Sequence, residues 1–389
     1  VLLKVGESSG ASGCDFHVEG HSDKFPSDTN QSGDLRFVDN DGTTFLNFWV
    51  EKVEGTAPNR VAYCWVKIND NLDSDVDIYC YYGNSEASNV SNGVTTFDFF
   101  DDFSTNTLSN YDLVSVIRYG DSTEKKKVGT YDATNHRVLI NTDDNYETVY
   151  SPKNFTIKNF YAQAKFLATG GYPDGAKGVV AGRYQDDDNT YVGVKVAEQF
   201  SQTGGTGSYC SYESPQLYKW VASNQSIIAS PPSNNYISMN TETILALAIY
   251  ENNIKFFVDG VEVLSATDSD LLNAGRVAFG GGQWNGWMDE IRVRKYVLPE
   301  PSFAYEVKPV YFYDGYVYEN GIPRSRLVRL YDRETGTLQD EGYSDPVTGK
   351  YYLETSISGM HFLVAFDDDE GYEYNALILD KVYPKGKVP

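Results

Sequence analysis

Two neighbouring stretches with apolar residues at alternating positions constrain this chain more than anything else in it. In residues 253–267, Ile254, Phe256 and Val258 alternate with polar neighbours, Asp259-Gly260 supplies a tight turn, and Val261 and Val263 return. Side chains on a strand point to alternate faces, and Asp-Gly readily adopts the backbone of a two-residue turn, so this is the pattern of a β-hairpin. Residues 275–296 read as a strand carrying Val277 and Phe279, a glycine turn at 280–282 and a loop with Trp284 and Trp287. A second strand then carries Met288, Ile291 and Val293. That is a second hairpin-like pair, and a chain built on such pairs is committed to antiparallel sheet.

The rest of the sequence agrees. No window sustains a helical apolar period over three turns, and the 31 Tyr and 20 Phe suit pleated surfaces. Short strand-like runs separated by Gly, Asn and Asp turns recur at sandwich spacing. The expected fold is all-β, with three consecutive β-sandwich domains. Residues 1–95 form the first and residues 96–298 the second, a concanavalin-like jelly roll. Pro299 and Pro301 break the sheet before a small sandwich over residues 299–389.

The "VDG" hairpin followed by GWMDEIRV resembles the closing half of a laminin-G or concanavalin-like lectin sandwich. GDLRF at 33–37, IYCYYGN at 78–84 and FDFFDDF at 97–103 resemble an uncharacterised family of bacterial, archaeal and phage surface domains. RLVRLYDRETG and YSDPVTGKY resemble the transthyretin-like or carboxypeptidase-regulatory sandwich. These resemblances imply an extracellular, cell-surface or virion-surface protein, with glycans or a host surface as partner.

Net charge is −23, from 32 basic against 55 acidic residues, which argues against nucleic acid or anionic lipid as partner. No run of 18 apolar residues exists to span a membrane as a helix.

Catalytic patterns are poor. Glycoside hydrolysis needs two carboxyl groups facing one another across the scissile bond, one with a raised pKa. On a regular strand the adjacent Asp289 and Glu290 point to opposite faces, as do Glu51 and Glu54, three apart. The expectation is a non-enzyme. The spacing of Cys14, His17 and His21 fits zinc only if Gly20 folds the segment back.

Sugar binding needs aromatic platforms with polar neighbours. Candidates are Trp284 and Trp287 around Asn285, Trp220 on its strand, and Tyr184 and Tyr191 around an acidic loop, with Trp284 expected at the surface. Asp186, Asp187 and Asp188 in that loop make calcium the candidate cofactor, and plain turn-forming Asp the alternative. Cys64 and Cys80 sit on successive strand-like runs and are a candidate disulfide, or else two buried thiols. Finally, Val1, Leu2, Leu3 and Val5 form an apolar terminal strand. It either pairs at home or adds to the sheet edge of another copy in a homo-oligomer or filament.

Overall fold

The computed structural model describes residues 1–18, 24–27, 31–71, 74–117, 126–142, 146–171, 176–196, 214–232, 237–304, 310–355, 357, 359–366 and 376–388. His21, Cys210 and the acidic run at 367–371 lie outside them. The chain is all-β and divides into two compact units, Val1–Phe303 and Ala304–Pro389.

The first unit opens with a small sheet ordered Phe16–His17, Leu2–Gly6, Val61–Val66, Phe48–Glu54, beside a two-stranded pair of Arg36–Val38 with Tyr79–Tyr81. Leu3, Val5, Phe37, Phe48 and Val66 fill the core of this module. Leu2–Gly6 is an interior strand, in antiparallel register with Val61–Val66 and flanked on its other side by Phe16–His17. The terminal strand therefore pairs at home, with Leu3 and Val5 buried, and is not free to add to another copy. Cys64 and Cys80 are free thiols rather than a disulfide. Their strands belong to different sheets: Val61–Val66 pairs with Leu2–Gly6 and Phe48–Glu54, while Tyr79–Tyr81 pairs only with Arg36–Val38 among the described strands.

The FDFFDDF stretch joins this module to the jelly roll. Phe97 and Phe100 pack on Trp49, whereas Phe99 and Phe103 pack into the core of the jelly roll. The strand Phe99–Asp101 pairs with Trp284–Lys295.

The jelly roll has two antiparallel sheets. The front sheet runs Val261–Thr267, Asn253–Val258, Thr243–Tyr250, Phe160–Gly171, Trp284–Lys295, Arg137–Asn141, Thr130–Asp132. The back sheet runs Asn224–Ala229, Gln216–Val221, Asn189–Val196, Lys177–Asp186, Arg276–Gly282, Glu147–Pro152, Tyr111–Leu113. Phe160, Phe166, Leu247 and Phe256 from the front meet Val180, Tyr191 and Phe279 from the back.

The 253–267 hairpin forms as expected, with Asp259 and Gly260 both in the left-handed region at φ 50° and 77°. The 275–296 stretch is different. Arg276–Gly282 lies in the back sheet and Trp284–Lys295 in the front, so the chain crosses the sandwich at Gln283 rather than turning back on itself.

Close approach of the sheets rests on glycine at Gly193, where an added Cβ would lie 2.3 Å from Cδ2 of Phe256. Gly193→Ala is expected to cost roughly 1–3 kcal/mol of stability by overpacking. Chemical denaturation against the unaltered protein measures it.

The second unit is a small sandwich described by itself. Lys350–Thr355, Val310–Tyr316 and Gly386–Val388 form one sheet; Leu338–Tyr343, Leu327–Asp332, His361–Ala365 and Leu377–Val382 form the other. Tyr313, Leu330, Leu353 and Leu363 make its core.

Candidate functional site

The aromatic residues proposed from sequence as sugar platforms are all buried. Trp284, at 0% exposure, sits between the sheets edge-on to Phe166. Trp287 is capped by the guanidinium of Arg137 at 4.9 Å. Tyr184 and Trp220 lie on the outer face of the back sheet, beneath a segment carrying Val114, Val116 and Ile117. The Trp220 indole N–H donates to the Val116 carbonyl at 2.8 Å. Tyr191 is buried, and its hydroxyl donates to Asp268 at 2.6 Å. Of that set Asn285 alone is exposed. The sequence pattern placed Trp220 on a strand, Tyr184 and Tyr191 around a loop, and Trp284 and Trp287 in a loop; the two tryptophans instead lie in the strand Trp284–Lys295, and which faces are covered depends on distant partners.

The calcium candidates are likewise drawn to separate protein partners. Asp186 accepts from the Asp188 N–H and the Asn189 amide, Asp187 from Ser115, Tyr184 and Lys126, and Asp188 from Ser223. Among the described residues no group of three His, Cys, Asp or Glu side chains is placed to share an ion. His17 turns its Nε2 to the Cys14 Sγ at 3.2 Å and the Ala11 carbonyl at 3.0 Å.

The site the structure does build lies on the outer face of the front sheet. The strand Phe160–Gly171 sends Phe160, Ala162, Ala164 and Phe166 inward, which leaves Tyr161, Gln163 and Lys165 outward. The strand Trp284–Lys295 sends Ile291 and Val293 inward and Arg292 and Arg294 outward. Together with Phe257, Ile244 and the Asp259-Gly260 turn, and with Leu2, Glu51 and Trp65 of the N-terminal module, they line an open cleft of about 340 Å³. Glu300 completes its rim.

Aromatic and charged groups interleave here. The Tyr161 and Phe257 rings are 5.2 Å apart, and the Arg294 guanidinium lies 4.6 Å from Tyr161 and 5.6 Å from Trp65. Burial pushes the Tyr161 phenol up to about 12, so it remains a neutral hydrogen-bonding group. Arg292 is 2% exposed, stacks on Trp49 at 4.9 Å and donates to Glu51 at 2.8 Å. Its Nε and Nη1 have no hydrogen-bond partner among the described residues. Burial raises the Glu51 carboxyl, but the hydrogen bond and charge of Arg292 and the Trp65 indole N–H outweigh it and leave Glu51 below its ordinary value.

Beside the cleft, a β-bulge overturns the expectation that Asp289 and Glu290 face apart. Register passes from Gln163–Arg292 to Lys165–Asp289, so the Trp284–Lys295 strand carries one extra residue, and Glu290 takes φ 49°. Asp289 and Arg292 thus both stand opposite outward residues, while Met288 and Ile291 remain buried. Glu290 pairs with Lys165 and, at 2.6 Å, with Arg292. Burial raises the Asp289 carboxyl to about 7, and the nearby Glu290 charge adds to the rise.

A carboxyl raised in the folded state binds more protons there than when unfolded, so Asp289 makes stability fall as pH rises from about 4 to 7. Asp289→Asn is expected to flatten that slope and to stabilise the protein at pH 8 by about 1–2 kcal/mol, after discounting for partial exposure. Thermal melts across that pH range measure it.

Comparisons with known proteins give one family match and several distant structural likenesses. A family described as a domain of unknown function, DUF2341, matches residues 31–113. No curated protein matches the sequence. Among solved structures, the carbohydrate-binding module CBM66 of Bacillus subtilis is similar at 16% identity and TM-score 0.33, over 45% of this chain and 100% of that one. A β-glucanase of Bacillus licheniformis is similar at 11% identity and TM-score 0.35, over 51% of this chain and 98% of that one. Domain 4 of an extracellular arabinanase from Geobacillus stearothermophilus, solved with arabinotriose, is similar at 12% identity and TM-score 0.35, over 51% and 92%. Likenesses this distant say nothing of ligand or chemistry.

Proposed function

We propose that this chain is a non-catalytic glycan-binding protein of an extracellular surface, cellular or viral, and that the front-sheet cleft is its sugar site. The observation that carries the reading is the lining of that cleft. Trp65, Tyr161 and Phe257 stand beside the planar polar groups of Glu51, Gln163, Arg292 and Arg294. A pyranose has an apolar C–H face that lies on an aromatic ring and hydroxyls that pair with carboxylates, amides and guanidiniums. The cleft volume of about 340 Å³ falls within the range of small-ligand sites.

The protonation pattern favours binding without hydrolysis. A hydrolase holds one carboxyl protonated near neutral pH at the scissile bond. Asp289 has the raised carboxyl but does not line the cleft, whereas Glu51 lines it and is held ionised by Arg292. A glycan array followed by a reducing-end assay on every retained glycan tests the reading. Retention without release supports it. Release that disappears in Asp289→Asn would make the protein a hydrolase, and retention of no glycan at all would remove the proposal.

An assembly role, as a subunit of a filament, virion or tail-fibre-like structure, is favoured by one observation. Leu377, Ile378 and Leu379 are exposed on Leu377–Val382, an edge strand among the described strands of the second unit. An apolar edge with unpaired backbone groups is a template for strand addition. Negatively stained electron microscopy should show regular polymers that Ile378→Lys disperses; dispersed wild-type monomers would exclude the role.

A further inference from the structure

We propose that Thr355 and Gln339 form an intramolecular ester, with loss of ammonia, that fastens the two sheets of the Ala304–Pro389 unit to each other. Thr355 ends the strand Lys350–Thr355 of one sheet, and Gln339 stands second in Leu338–Tyr343 of the other. The Thr355 Oγ1 lies 3.2 Å from the Gln339 carboxamide Oε1, one bond from the electrophilic carbon. The orientation of that carboxamide is set from its other end. Gln339 Nε2 donates to Thr337 Oγ1 at 2.9 Å and to the Thr337 carbonyl at 3.5 Å, and a carbonyl oxygen only accepts.

A base is in place. His361 is fully buried, and its Nε2 lies 3.5 Å from Thr355 Oγ1. Its Nδ1 is 2.9 Å from the Gly359 carbonyl and 2.7 Å from the Tyr313 hydroxyl. Because the Gly359 carbonyl cannot donate, the neutral ring carries its proton on Nδ1 and presents the Nε2 lone pair to Thr355. Asp332 stands opposite His361 in strand register, which places a carboxylate beside the imidazolium that forms. The Ile357 N–H donates to Thr355 Oγ1 at 3.1 Å, leaving the hydroxyl proton for His361 or Gln339. A hydroxyl beside a base that is itself oriented by a third group is the general arrangement of an activated nucleophile.

The step balances without a cofactor. Thr355 Oγ1 gives its proton to His361 Nε2 and bonds to Gln339 Cδ. The Cδ–Nε2 bond then breaks, the imidazolium returns the proton to the leaving nitrogen, and ammonia departs. Proximity within the fold replaces a bimolecular encounter, and burial of Thr355 and His361 limits the water that would hydrolyse the product.

Intact-mass spectrometry of the full chain tests this. The wild-type protein is expected about 17 Da below its sequence mass, the loss of one ammonia on covalent capture of the amide carbon. Trypsin, cutting after Arg333, Lys350 and Lys381, should leave peptides 334–350 and 351–381 joined, and Thr355→Val should restore the full mass and separate them. Wild-type protein at full sequence mass with those peptides separate would overturn the proposal. So would a deficit that survives Thr355→Val, since the loss would then arise elsewhere. Both outcomes are read on protein that need not retain its native fold during measurement.

Discussion

Trp284→Ala is expected to destabilise the Val1–Phe303 unit by roughly 3–5 kcal/mol, the range for removing a large aromatic side chain from a packed core. The indole is fully enclosed between the sheets, against Phe166 and among the residues that form the sandwich interior. Its Nε1 has no hydrogen-bond partner among the described residues. Trp284→Phe therefore removes an unsatisfied donor while keeping most of the ring, and is expected to cost far less than the alanine variant. Urea unfolding of the two variants separates the readings. If Trp284 were a solvent-exposed sugar platform, both substitutions would leave the midpoint unchanged.

Arg292→Ala is expected to cost a similar amount, roughly 3–5 kcal/mol, for a different reason. The guanidinium is buried between Glu51 of the N-terminal module and Glu290 of the bulge, with the Trp49 ring beneath it. Removing it leaves carboxylates in a partly desolvated site, with Lys165 the ion-pair partner left to Glu290 among the described residues. Because Arg292 links the module to the jelly roll, its loss should also reduce the cooperativity of unfolding, read as a smaller denaturant slope. The double variant Arg292→Met with Glu51→Gln is expected to recover part of the loss, since the uncompensated charge goes with its partner. An Arg292→Ala midpoint within experimental error of wild type would show that the cluster contributes nothing net.

Much of the fold was legible because strand period is a local property. The alternation of Ile254, Phe256 and Val258 and the Asp259-Gly260 turn specify a hairpin from neighbouring residues alone, and the hairpin is there. The stretch around Trp284 misled for the same reason. Locally it reads as strand, turn, strand, but whether the chain turns back or crosses between sheets at Gln283 depends on distant partners such as Glu147–Pro152 and Phe160–Gly171.

The cleft was half legible. In FYAQAKF the small Ala residues alternate with Tyr161, Gln163 and Lys165, which signals one face packed tightly and another carrying larger polar groups. Nothing local brings Glu51 and Trp65 over that face, because their approach depends on Phe97 and Phe100 packing against Trp49. The bulge was hidden as well. One extra residue in a strand leaves no compositional trace at Glu290, yet it decides that Asp289 and Glu290 share a face.

Calorimetric titration of an array-selected oligosaccharide decides whether the outer-face cleft binds glycan. Wild type is compared with Phe257→Ala and with Tyr161→Ala, residues that line the cleft without entering the sandwich core. Each variant is expected to lose affinity by about tenfold or more while melting within a few degrees of wild type. Unchanged affinity in both variants, with binding intact, would place the sugar elsewhere on the molecule and contradict it.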